Sequence, residues 1–330
     1  MLISCIYKII FILIFFLSSN IFIVNADENF DTWLHSYKQD ALSKGITQDT
    51  INVAFKNVKF LEQIIKYDRK QPEFFEDTVT YVSKRANLLR VKKAKKLLVE
   101  NIELLNEVET KFLVEKEILL ALWGIETNFG RHVGKMDIIS SLATLSYDKR
   151  RREFFSSQLL TLLTLIQDKV VDPTILYGSW AGAFGNFQFM PSTIKNYAID
   201  YDGNNKIELK SSLEDSFASA ANYIKKIGWK KGQPCFYKVK LNEDVEKKYL
   251  NSSARNIKHR LKVVNWKKKG VQIITDKKID KNTKAALILP DGKKGSPAFL
   301  VFDNYEKILK WNRSLRFGIS VCTLANIIKG

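Results

Sequence analysis

Histidine, cysteine and proline are scarce in this chain: its 330 residues hold three, three and six of them. The histidines His35, His132 and His259 are scattered and have none of the close spacings that zinc ligands need, so a metal-hydrolase reading has little support. No Gly-x-Ser-x-Gly elbow and no phosphate-cradling glycine loop occurs, which argues against a serine hydrolase or a nucleotide enzyme. Cys5 lies in the N-terminal apolar stretch, ahead of its core, where no lipid-attachment cysteine would stand. That leaves Cys235 and Cys322. An exported chain either joins them or keeps two buried thiols, and two cysteines make no disulfide framework. Acidic residues are the other deficit, 35 against 53 Lys and Arg, for a net charge of +18. This balance favours an anionic partner: nucleic acid, a membrane surface or an acidic wall polymer.

Residues 1–26 carry one basic residue (Lys8), no acid, an apolar core from Ile9 to Leu17, and the small-residue ending Val24-Asn25-Ala26. That pattern predicts a secretory signal peptide cleaved before Asp27. The rival is a retained anchor, because the apolar run continues through Ile21, Phe22 and Ile23 toward the roughly twenty residues a spanning helix needs. Export predicts a periplasmic protein, soluble or associated with the inner or outer membrane through an uncleaved leader, and argues against nucleic acid as partner. Roughly 300 residues remain, enough for a large core and more than one structural unit.

From Asn29 to about Leu120 apolar residues recur at spacings of three and four, and neither Gly nor Pro interrupts Glu73 to Lys116, so this region is predicted helical. Asp49 or Thr50 would cap one of its helices. The stretch from Ala121 to Pro191 organises the rest. Glu126 is a lone carboxylate in the apolar run Leu119, Leu120, Leu122, Trp123 and Ile125, where burial disfavours the ionised form. An acid kept protonated near neutral pH can donate to a leaving oxygen; the plainer alternative pairs it with Arg131. Downstream, Gly178-Ser-Trp-Ala-Gly182-Ala-Phe-Gly185 permits close backbone approach. Gln188 between Phe187 and Phe189 must satisfy its amide on a substrate or on backbone. Arg150-Arg151-Arg152 is either a solvated rim or a set of guanidinium forks for substrate carboxylates.

Asp200, Asp202 and Asn204 fall at the first, third and fifth positions of a calcium loop, with the Lys206 carbonyl at the seventh. Ser211 stands where a closing Glu belongs, so any such site closes later. Beyond Trp229 short apolar runs at Phe236–Leu241, Arg260–Val264, Val271–Thr275 and Ala285–Leu289 predict strands of a small sheet. Helical periodicity returns from Tyr305 to Ile328, which makes the sheet an insertion.

Several stretches in order resemble the lytic murein transglycosylase B family: Asp68-Arg-Lys-Gln-Pro-Glu-Phe74, Gly124-Ile-Glu126-Thr-Asn-Phe-Gly-Arg131, Ala143–Tyr147, Gly178–Ser192, Ala221-Asn-Tyr223 and Trp311-Asn312. The Gly182–Ser192 block with its upstream Glu is highly specific. The resemblance implies a mainly α (α+β) fold. It would comprise an N-terminal helical domain over 27–115 and a lysozyme-like core over 116–231 with a candidate calcium loop at 200–215. A small β domain over 232–298 and C-terminal helices over 299–330 would complete it. It implies a lytic transglycosylase acting on peptidoglycan glycan strands, with hydrolytic muramidase and non-catalytic wall binding as alternatives. Glu126 would be the single acid/base; no convincing second carboxylate stands out, although ordinary glycosidases need one. Groove residues carry over to Tyr81, Arg150, Arg151, Ser179, Gln188, Tyr223, Trp311, Asn312 and Phe317, the last lacking a hydroxyl. The calcium set would be Asp200, Asp202, Asn204, Lys206 and the late acid Asp215. The chemistry would need no cofactor beyond one structural calcium ion, and the chain would act as a monomer.

Overall fold

The structure is a computed structural model and describes residues 29–70, 75–243, 245–275 and 279–330. The leader read at 1–26 and the Gln71–Phe74 part of the Asp68 motif lie outside these residues. Helices dominate, as the periodicity predicts. Asn29, Asp77, Asn87, Asp137, Ser212 and Ser314 each accept a backbone N–H from the helix they precede, a cap that contributes about 1 kcal/mol. The Gln48–Ala54 helix is capped by Thr47 rather than Asp49 or Thr50, because the extended backbone that a cap requires occurs at Thr47.

The Lys116–Thr127 helix is apolar nearly all round, with Ile118 through Gly124 buried, and such a helix belongs at the centre of a fold. The Leu88–Glu100, Ile102–Phe112, Leu213–Lys226 and Leu315–Lys329 helices pack around it. Beside them, Ile138–Tyr147 packs on Arg152–Gln167. A short antiparallel pair not foreseen from the sequence, β1 (Met136–Asp137) with β2 (Tyr177–Gly178), ties these elements together. Since the last helix returns to the central one, the sheet is inserted into a single helical body.

That sheet has five antiparallel strands in the order β4-β6-β7-β3-β5: β3 Phe236–Leu241, β4 Leu261–Lys262, β5 Val271–Ile274, β6 Lys284–Ile288 and β7 Ala298–Val301. Successive residues of a strand point to opposite faces. On β6 and β7, Ala285, Leu287, Ala298 and Leu300 join a core built around Trp266, while Ala286, Ile288, Phe299 and Val301 join the helical body's core. Both faces are therefore covered, which is why these strands read as unbroken apolar runs. Two sequence boundaries shift in consequence. The sheet runs on to Val301, and the run at 260–264 is a two-residue strand followed by the Val263–Lys267 helix.

Cys235, next to β3, is disulfide-bonded to Cys322 on the Leu315–Lys329 helix, with Cα atoms 6.1 Å apart. The pairing alternative thus holds over two separate thiols. Among the described residues no helix is long and apolar enough to cross a membrane.

Candidate active site

Glu126 sits on the last turn of the central helix, half-buried. The helix stops abruptly: Asn128, Phe129 and Gly130 all have positive φ. Phe129 folds back onto Gly124, where an added Cβ would lie 2.7 Å from its ring and push the ring aside. Thr127 Oγ1 accepts from Gly130 N and donates to the Asn186 carbonyl, fixing the turn beside the carboxylate. Trp311 Nε1, 185 residues away in sequence, donates to Glu126 Oε1 at 2.9 Å. An indole N–H can only donate. Oε1 therefore presents a lone pair to the indole. Arg131, the alternative partner from the sequence, is exposed.

Trp311 belongs to an aromatic ladder. Its ring stacks on Tyr223 with centroids 5.1 Å apart, and Tyr223 stacks on Tyr197 at 4.4 Å. Phe189 and Phe187 pack against Trp311 at 5.3 and 6.1 Å. Of these rings Trp311 and Tyr197 are only partly buried and suit the apolar C–H face of a pyranose, whereas Phe187 and Phe189 are buried and pack behind them. The Tyr223 hydroxyl donates to the Lys310 carbonyl, and burial together with the neighbouring Tyr197 pushes it up to about 12. Asn312 follows Trp311, half-buried. Phe317 is 3% exposed within the main core, so its ring packs and offers almost no surface for stacking.

Tyr81 is likewise buried, with the Arg85 guanidinium 3.4 Å above its ring. The Gly178–Phe189 segment closes on itself, Phe184 and Phe189 exchanging two backbone hydrogen bonds. Ser179 Oγ accepts from Ala183 N inside this turn. Gln188, at φ 52, donates its amide to the Val133 and Gly185 carbonyls, which is the backbone alternative foreseen for it.

The three arginines part company. Arg150 and Arg151 both pair with Asp68, a carboxylate only 2% exposed, while Arg152 donates to the Tyr147 carbonyl. Arg151 also lies over the Phe155 ring. The side chains of Arg150 and Arg151 remain 45% and 38% exposed, so pinning Asp68 leaves both with accessible surface. Asp68 as their shared anchor escapes sequence reasoning, since it is 82 residues from Arg150.

Among the described residues, one acidic group could hold a metal ion, in the loop after Ile199. Ligand oxygens of Asp200, Asp202 and Asp215 lie within 4.8 Å of one another. Asp215 is fully buried and accepts from Tyr201 N and Glu208 N, which closes the loop. Asn204 accepts from Lys206 N and donates to Asp202 and Glu208. The backbone N–H groups that donate to these carboxylates hold them together, and their all-oxygen donor set suits a hard cation. The residues present fit a calcium ion.

The Transglycosylase SLT domain family matches this chain over residues 29–326. Membrane-bound lytic murein transglycosylase B of Escherichia coli is 45% identical over 129 residues, a match spanning 39% of this chain and 36% of that protein's length. SltB3 from Pseudomonas aeruginosa, solved in complex with NAG-NAM-pentapeptide, superimposes with a TM-score of 0.82 at 36% identity, covering 92% of this chain and 80% of that one. An Escherichia coli lytic transglycosylase solved in complex with calcium superimposes with a TM-score of 0.76 at 26% identity, covering 90% and 92%.

Proposed function

The chain belongs to the transglycosylase SLT domain family, and from that premise we propose that it is a peptidoglycan lytic transglycosylase with Glu126 as its single acid and base. The observation that carries this reading is where Glu126 stands: at the half-buried end of the central helix, one oxygen taken by the Trp311 indole N–H, beside a wall of stacked rings. Glu126 protonates the β-1,4 oxygen between N-acetylmuramic acid and N-acetylglucosamine, and the bond from that oxygen to the muramyl C1 breaks. The carboxylate left behind takes the proton of the muramyl C6 hydroxyl as O6 attacks C1. One C–O bond breaks, one forms, no water is consumed, and the product ends in a 1,6-anhydro ring. The chemistry needs no cofactor.

Ser179, Gln188, Tyr223, Trp311 and Asn312 form the glycan groove in this reading, with the buried Tyr81 and Phe317 supporting it from the core. Arg150 and Arg151 present their exposed guanidinium edges to the stem-peptide carboxylates. Asp200, Asp202, Asn204, the Lys206 carbonyl and Asp215 would hold one structural calcium ion, whose role is to stiffen the loop. The chain works on glycan strands in the periplasm, as a monomer, reached through the leader at 1–26 and attached to a membrane where that leader is retained.

The test is mass spectrometry of purified sacculi digested by the wild type and by Glu126→Gln. Anhydro-ended muropeptides from the wild type alone are expected. Reducing-end products would instead make it a hydrolytic muramidase, and wild-type binding without release would make it a wall-binding protein.

A further inference from the structure

Asn186 is 4% exposed and lies in the tight turn between Phe184 and Phe189. All four of its polar groups are engaged. Toward the central helix, its Oδ1 accepts from Trp123 Nε1 at 3.1 Å and its carbonyl accepts from Thr127 Oγ1 at 2.8 Å, the residue after Glu126. Toward the acidic loop, its backbone N donates to the Leu209 carbonyl at 2.8 Å, and its Nδ2 to the Lys210 carbonyl at 3.2 Å and Ser216 Oγ at 3.1 Å. Ser216 adjoins Asp215, whose two oxygens hold Tyr201 N and Glu208 N. Space is tight on both sides. A Cβ at Gly130 would lie 2.9 Å from Asn186 Oδ1, and one at Gly185 would lie 2.4 Å from the Leu209 carbonyl oxygen.

A buried amide that loses a partner is costly, so it moves with its partners or reorients as a unit. Displacing the Leu209 and Lys210 carbonyls must therefore be felt at Trp123 and Thr127, on the turn that carries Glu126. We infer that Asn186 is a positioning residue for Glu126, coupling the order of the Asp200–Asp215 loop to the placement of the acid. This rests on the reading of Glu126 as acid and base.

Two arms test it on the full folded chain. In the first, Asn186→Ala is assayed on purified uncrosslinked glycan strands. The turnover rate at saturation should fall roughly 10- to 100-fold with KM changed less than about threefold, since misplacing a reacting group costs rate rather than binding. Trp123→Phe removes the N–H donor together with part of the indole ring, and serves if Asn186→Ala does not fold. It should lower turnover in the same direction by less. Unchanged turnover in a folded variant overturns the inference, whatever happens to the melting temperature. The second arm does not use activity. Asp202→Ala in the loop should speed hydrogen exchange of the Trp123 indole N–H several-fold in the wild-type background and leave it unaltered in Asn186→Ala. Equal acceleration in both backgrounds, or none in the wild type, overturns the coupling. Were the wild type to release no product, the proposed function would fall while the exchange arm still decided the coupling.

Discussion

In the helical body, apolar side chains enclose the Lys116–Thr127 helix, and the inward-facing polar groups Trp123 Nε1, Thr127, Asn186 and Trp311 Nε1 gather at its last turn. In the sheet, Trp266, Leu287 and Leu300 form a core of their own, and the polar groups serve attachment. Asp291 accepts from Thr78 N and Oγ1 and from Arg316, Arg260 pairs with Asp303 and Glu306, and Cys235 is bonded to Cys322. Of the three helices so tied, Thr78–Arg85 and Leu315–Lys329 pack on each other, the second packs on the central helix, and Asp303–Trp311 ends at the Trp311 that bonds Glu126. On the proposed function the difference assigns the work: the body would hold the chemistry, and the sheet would brace the helices around it.

The sharpest way to break that division is to remove the acid. Glu126→Gln should lower product release by roughly 10³-fold or more with a melting temperature within a few degrees of wild type, read by soluble muropeptide release. Trp311→Phe, which keeps a smaller aromatic ring beside Tyr223 but loses the N–H on Oε1, should lower turnover roughly 10- to 100-fold. On the sheet side the loss falls on stability instead of rate. Cys235→Ser should cost about 2–4 kcal/mol in chemical denaturation while leaving turnover per folded molecule within about twofold of wild type. A collapse of turnover in folded Cys235→Ser would make the sheet part of the site. Asp291→Ala removes the acceptor shared by Thr78 and Arg316 and should cost about 1–3 kcal/mol, again without a matching loss of rate.

The smallest effect concerns pH. Tyr223 is raised from 10.0 to about 12 in the folded protein, so between those values the native state holds a proton that the unfolded chain has lost. Its contribution to stability is complete below pH 10 and declines as pH rises toward 12. Tyr223→Phe should flatten that part of the melting-temperature profile.

Where the sequence was legible, the signal was local. An acid among Leu120, Leu122, Trp123 and Ile125 marks Glu126, and helical spacing marks the body. Strand β7 is an unbroken apolar run buried on both faces like β6, but it leads within two residues into the Asp303–Trp311 helix, which hides its end in the sequence. Thr47 was passed over as a cap because Asp49 and Thr50, two and three residues on, are equally good capping residue types. Contacts set by the whole fold left no trace: the Trp311 bond to Glu126, the Asp68 anchor of Arg150 and Arg151, and Asn186 meeting two backbone carbonyls from another loop. Phe317 could be matched to a groove position by motif, but its burial depends on the helices around it.

The central claim is that one carboxylate cuts the glycan with the sugar's own hydroxyl as nucleophile. Digesting purified sacculi in oxygen-18-labelled water and weighing the released muropeptides tests it most directly. The account predicts anhydro termini with no label taken up; reducing termini carrying the heavy isotope would contradict it.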